Sequence, residues 1–324
     1  MNKALIVGID YYKYGSKLFG CVSDAHSLKS VLNRNFDGSI NFDCRIITVS
    51  NEEESLTRRE LKDAVTQLFS DKSDIALFYF AGHGHIESTG GYILGSEAQR
   101  GDDGLSLDEV LKIANDSKAA NKIIILDSCH SGIAGNSPSI GDRALISEGI
   151  TILTASDQDQ YASEKNGSGV FTSLLVDALN GSAANILGDI TPGSVYAHID
   201  QSLGSWDQRP IFKTNVRKFI SLRKAAPAIN LIDLIKIKEF FPEPGYEFWL
   251  DPTFEPEMKG RSEGMPGPIP ENTQIFSILQ KYNRLNLLKP LGAEHMWNAA
   301  MDSKACKLTA LGEHYRKLAI SDRI

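Results

Sequence analysis

Two short cassettes hold the residue types of thiol chemistry: Phe80-Ala81-Gly82-His83-Gly84-His85 and Leu126-Asp127-Ser128-Cys129-His130-Ser131-Gly132. Cleaving a peptide bond with a thiol takes a nucleophile that is partly thiolate, a nearby proton carrier, and backbone donors for the tetrahedral oxyanion. Cys129 is the expected nucleophile and His83 the proton carrier, most simply toward the departing amine. Gly84 has no Cβ, so substrate can come close enough for its N–H and that of Cys129 to point at the oxyanion. Gly82 and Gly132 let the chain turn sharply on either side. Two other readings use the same residues. Cys129 could be a core thiol beside an ordinary Gly-His-Gly turn, because free cysteine is often buried. His83, His85, Cys129 and His130 could also form a zinc site, although His-x-His with an adjacent Cys-His matches no usual closed-site spacing.

Each cassette follows a run that must position it. Asp74–Phe80 (DIALFYF) and Lys122–Leu126 (KIIIL) are short, rich in β-branched and aromatic residues, and bounded by Gly or polar residues, as interior parallel strands are. Parallel neighbours bring their carboxyl ends to one sheet edge, where open α/β proteins place their chemistry. The surrounding pattern alternates. Strands are predicted over 3–9, 42–49, 150–155 and 211–220, and helices over 23–36, 56–70, 106–115, 169–179 and 191–203. Thr57 and Glu60 form a capping box, and Pro192 stands in a first helical turn. A small hairpin is expected near Gly90–Leu94. Such βα alternation predicts a layered α/β domain with helices on both faces of a mostly parallel sheet.

Past about residue 225 the character changes. Seven prolines between Pro242 and Pro270 crowd a Glu- and Gly-rich stretch, which predicts a connector over 223–272. A helical pattern follows over 273–324. This divides the chain into 1–222, a connector and a small mainly helical module. With 324 residues the length suits one large domain plus a smaller one. At 42% hydrophobic and 23% charged residues the composition is that of an ordinary globular protein. The net charge of −7 offers no general attraction to nucleic acid or to an anionic membrane. The start, MNKALIVGID, runs directly into a strand pattern with no leader or apolar span, and the four cysteines are scattered, so a reducing, cytoplasmic setting is expected. Neither phosphate-cradling glycine motif occurs after the first strand, which removes support for a nucleotide-binding α/β protein.

On these cassettes, and on ALIVGIDYY, FGCVSDA (Phe19–Ala25), ILTASDQDQYASE and GVFTSLLVDAL in the same order, the chain resembles caspase-like cysteine peptidases. It is more similar to the metacaspase and orthocaspase branch than to animal caspases. The resemblance covers about residues 1–222 and implies a six-stranded, mostly parallel sheet with helices on both faces. It also implies an acidic S1 pocket. The matching positions are Cys21, Asp24, Ala81, where a serine is frequent, and Asp127, with Ser156 and Asp157 bordering the same cleft. Two carboxylates there predict cleavage after Arg or Lys, because opposite charge at the base of a pocket selects the ion that it can pair. The plainer alternative makes Asp24 a helix cap and Asp127 a turn pin.

Some relatives use calcium. Here Asp102, Asp103 and Asp108 stand elsewhere in register and Asn136 occupies a position where Asp is frequent, so no cofactor is expected to be required. The loop after the nucleophile (Ile133–Glu148) carries Arg143, a candidate self-processing site. Residues 273–324 resemble the second half of a winged-helix domain and hold eight Lys and Arg against four Asp and Glu, without a strong nucleic-acid signature. By analogy with prokaryotic caspase-like proteins in antiviral defence, the tail is expected to sense a small nucleotide of the cyclic ADP-ribose type made by a TIR-domain partner. The rival class is an inert caspase-fold scaffold. Intact His83, Gly84 and Cys129 argue against it.

Overall fold

A computed structural model describes residues 1–128, 136–137, 141–144, 146–155, 164–165, 168–204 and 209–324. The chain divides into two compact units, Met1–Ala226 and Pro227–Ile324.

The first unit is built on a six-stranded sheet. Its strands are β1 (Asn2–Ile9), β2 (Phe42–Val49), β3 (Ile75–Ala81), β4 (Asn121–Asp127), β5 (Ile150–Thr154) and β6 (Ile211–Asn215). Their spatial order is β6-β5-β4-β3-β1-β2, with every pairing parallel except β5 with β6. This is the expected mostly parallel architecture, with β6 ending at Asn215 where the sequence pattern suggested a strand to 220.

Strand parity sorts the side chains into two cores, since successive residues face opposite sides. Leu5, Val7, Ile9, Ala76, Phe78, Phe80, Ile124 and Leu126 pack against α2 (Arg58–Ser70) and α3 (Leu107–Asn115). Ala4, Ile6, Leu77, Tyr79, Ala81, Ile123 and Ile125 pack against α1 (Cys21–Leu32), α4 (Val170–Asp177) and α5 (Pro192–Ser202). The continuous apolar runs of β3 and β4 therefore reflect burial on both faces. The Thr57–Glu60 capping box is formed at α2, and Thr191 with Pro192 opens α5.

The second unit corrects the expected division of the chain. Residues 227–272 belong to it and are not a separate connector. Helices α6 (Leu231–Ile235) and α7 (Ile237–Phe240) and strand β7 (Glu247–Trp249) lie in that stretch. Strand β7 pairs antiparallel with β9 (Ala305–Leu308), which pairs with β8 (Leu288–Pro290). Helices α8 (Pro270–Arg284), α9 (Met296–Met301) and α10 (Ala310–Ile320) complete the unit. The prolines do not prevent this, because Pro252 and Pro270 occupy first-turn positions where no amide donor is needed. Phe241, Phe248 and Phe254 form edge-to-face and tilted ring pairs inside the unit. Arg261 donates to the carbonyls of Glu255, Glu257 and Pro266, tying down a loop that composition alone marks as irregular.

Candidate active site

The parallel strands β1, β3 and β4 end at one sheet edge, and each delivers part of the candidate site. After β3, Gly82 N–H continues the ladder by donating to the Asp127 carbonyl at 3.3 Å, which carries the register one residue past Ala81 opposite Asp127. His83 follows at once. After β4 comes Ser128, buried, and then Cys129; Cys129 and Ser156 lie outside the described residues. After β1 come Asp10 and Tyr12.

Tyr12 and Ser16 orient His83. Its backbone N–H donates to the Tyr12 hydroxyl at 2.7 Å, and the two rings lie 4.5 Å apart with a 51° tilt. Its Nε2 lies 2.8 Å from the Ser16 carbonyl oxygen, with Ser16 Oγ at 3.3 Å. A carbonyl can only accept, so Nε2 carries a proton and Nδ1 is the basic nitrogen of the neutral ring. Burial, above all, pushes the Tyr12 phenol well above its ordinary range, so it remains a neutral hydroxyl. A Cβ at residue 82 would stand 2.4 Å from the Tyr12 hydroxyl, which explains a glycine there. Tyr12 was missed by sequence reasoning. The signal was its place three residues beyond β1, the strand beside β3.

Gly84 begins a hairpin, Gly84–Glu87 with Gly90–Ile93, in which it stands opposite Ile93. Leu94 N–H donates to the His83 carbonyl at 3.0 Å, which makes His83 a hydrogen-bonded position of this antiparallel ladder. Such positions alternate, so Gly84 is at a non-bonded one and its N–H points away from the hairpin partner. That leaves it available as the oxyanion donor expected of it. His85, the next residue, turns elsewhere: its Nε2 meets Glu87 at 2.9 Å and its ring covers Gly101.

On the α1/α4 face two of the expected S1 residues, Asp24 and Asp127, come together. Asp24 and Asp127 are only 2% and 7% exposed. The Asp24 carboxylate accepts from Gly169 N–H at 2.9 Å, and Asp127 Oδ2 accepts from the Thr172 hydroxyl at 2.6 Å. A Cβ built on Gly169 would lie 3.0 Å from Asp24 Oδ2 and 2.7 Å from Asp127 Oδ2, so both carboxylates border one point in space. Ala81 is buried beside Asp127 in the sheet register, and Cys21 is buried at the start of α1. Asp10 Oδ1 accepts the amides of Cys21 at 2.8 Å and Val22 at 3.3 Å, capping α1 from the end of β1 and fixing Asp24 one turn along. The helix-cap role considered for Asp24 thus belongs to Asp10.

Among the described residues no group of three or more His, Cys, Asp or Glu side chains could hold a metal ion. The three acidic residues considered for calcium have separate surroundings. Asp103 accepts the amides of Gln99 and Arg100, Asp102 lies 3.9 Å from Arg100, and Asp108 stands in the first turn of α3. Arg143 belongs to the short strand Gly141–Ala144, and its side chain lies outside the described residues. No helix among the described residues is long and apolar enough to cross a membrane.

Comparison with known proteins points to one family. Metacaspase-1 of Plasmodium falciparum is 33% identical over 148 residues, covering 40% of this chain and 24% of that protein. Metacaspase-1 of Meyerozyma guilliermondii is 29% identical over 160 residues, covering 42% and 37%. The chain thus matches well under half the length of these relatives. A crystal structure of a Geobacter sulfurreducens protein aligns with a TM-score of 0.51 at 17% identity, over 70% of this chain and 98% of that one, a likeness of fold. The caspase-domain family model matches residues 1–220, and with the sheet order and the histidine at its carboxyl edge this places the chain in the caspase-domain family of cysteine peptidases.

Proposed function

We propose that the protein is a cysteine endopeptidase that cleaves after Arg or Lys through a Cys129–His83 dyad. The observation that carries the reading is an oriented imidazole and two buried carboxylates at one sheet edge, with one carboxylate, Asp127, two residues before Cys129 in sequence. Cys129 Sγ attacks the scissile carbonyl carbon, and the oxygen takes up negative charge toward the amides of Gly84 and Cys129. His83 Nδ1 takes up the thiol proton as Sγ attacks, and as the C–N bond breaks the imidazole gives that proton to the leaving amine. Water then hydrolyses the thioester: Nδ1 takes a proton from the water as its oxygen bonds the acyl carbon, and as the C–S bond breaks that proton passes to the departing sulfur, restoring the thiol and the neutral imidazole. During both steps the Ser16 carbonyl holds the Nε2–H side of the ring. Asp24 and Asp127 select the cationic side chain, because a guanidinium matches paired carboxylates in charge and geometry.

The test is hydrolysis of fluorogenic peptides ending in Arg, Lys or Asp, with and without calcium, by the wild type, Cys129→Ala and His83→Ala. Cleavage after Arg that disappears in both variants is the expected result. No cleavage under any condition, with Cys129 inert to iodoacetamide, selects the scaffold reading.

The second unit has a core of its own and is read as the regulator, with a cyclic ADP-ribose-like nucleotide from a TIR-domain partner as trigger in antiviral defence. Titration calorimetry of the full chain with cyclic ADP-ribose tests this. Absence of both heat and activation removes it.

A further inference from the structure

We propose that Thr172 and Tyr79, which lie outside the set of residues expected to touch substrate, are specificity-positioning residues that hold Asp127 as the cation-binding carboxylate. This rests on the Arg/Lys reading above and extends it to the layer behind the pocket. Tyr79 projects from β3 and Thr172 from the first turn of α4, and both are fully buried. The Tyr79 hydroxyl lies 2.6 Å from Thr172 Oγ1, which lies 2.6 Å from Asp127 Oδ2.

The direction of this relay follows from elementary donor counting. An ionised carboxylate only accepts, so the single Thr172 proton goes to Asp127 and Thr172 must accept from Tyr79. Burial first, and then the nearby charges of Asp127 and Asp24, push the Tyr79 phenol well above its ordinary range, so it stays a donor. Tyr79 therefore orients Thr172, and Thr172 orients Asp127 while favouring its ionised form. The relay spans β3, α4 and β4, so neither oxygen of Asp127 can swing without breaking it. Gly169, three residues before Thr172 at the start of the same helix, gives its N–H to Asp24. One helix N-terminus thus positions both carboxylates.

The experiment compares kcat and KM for matched peptides ending in Arg and in the neutral isostere citrulline, for the wild type, Thr172→Val, Thr172→Ser and Tyr79→Phe. Thr172→Val keeps the volume and removes the donor. Its Arg-over-citrulline ratio should fall by about tenfold or more, mainly through KM for the Arg peptide, as loss of a hydrogen bond to a charged group predicts. Thr172→Ser should restore the ratio to within about threefold, and Tyr79→Phe should show a smaller loss of the same sign. An unchanged ratio in Thr172→Val, or an equal fall for both peptides, overturns the proposal while the Arg/Lys reading stands. A wild type that cleaves both peptides equally overturns that reading and this one together. If Thr172→Val does not fold, the ratio in Tyr79→Phe decides: a fall supports the relay and an unchanged ratio overturns it.

Discussion

Replacing Tyr12 by Phe separates the position of the imidazole from the stability of the fold. The substitution keeps the ring that lies 4.5 Å from His83 and removes only the oxygen that accepts His83 N–H at 2.7 Å. Leaving that amide unsatisfied costs about 1–3 kcal/mol. The contact is only partly buried, so water can reach the freed amide and the cost falls at the low end of that range. Net stability should therefore fall by about 1 kcal/mol, or roughly 2–4 °C in melting temperature for a unit of this size. Activity is more sensitive. Without its tether the segment Gly82–Gly84 can shift, and a displacement of about 1 Å at a reacting group costs on the order of 100-fold. The expected outcome is therefore kcat/KM down by about 10- to 100-fold with a nearly unchanged melting curve. The assay pairs peptide hydrolysis with thermal denaturation, using Tyr11→Phe as control. A Tyr12→Phe enzyme within about threefold of wild type would refute the reasoning, and so would a loss of activity that merely follows a loss of fold.

Gly169→Ala should fold, since φ −66° and ψ 134° suit alanine, yet lose Arg-peptide cleavage more than citrulline-peptide cleavage, because the new methyl would stand against both carboxylates. Gly312→Ala should destabilise the second unit by more than about 2 kcal/mol, seen as early proteolysis of 227–324, since its Cβ would stand within van der Waals exclusion of the Leu287 carbonyl. Acidification should loosen the same unit. Burial pushes Glu313 upward, but the Gly245 amide and Arg316 more than offset it, so its carboxyl lies below its ordinary value. A depressed carboxyl stabilises above its unfolded-state pKa and loses that contribution as pH falls through the folded one, so melting below about pH 4.5 should be steeper in the wild type than in Glu313→Gln. Arg143→Ala should leave an otherwise active chain intact on a gel if the chain processes itself, and unchanged fragments would exclude that site.

Much of the site was legible because it depends on where strands end. The apolar runs before His83 and Cys129 identify buried neighbouring strands, and parallel neighbours must finish at the same edge. What could not be read there are contacts made by residues remote in the chain. Thr172 reaches Asp127 across 45 positions and Gly169 reaches Asp24 across 145, and neither pairing leaves a periodic trace. Tyr12 looks like one more aromatic until β1 and β3 are known to adjoin. The Pro-rich stretch was misread as a connector for a similar reason. Proline density reports the loss of amide donors, whereas Phe241, Phe248 and Phe254 become a core only once β7 has paired with β9.

Local order in the chain determined the chemistry on offer: strand parity, the two glycine-flanked cassettes and the capping signals follow from side-chain size and backbone sterics over a few residues. Tertiary packing alone decided which nitrogen of His83 holds a proton, which hydroxyl steadies Asp127 and which amide meets Asp24. Those choices depend on directional hydrogen bonds, buried in the case of the two carboxylates, and only the closed fold brings their partners within reach.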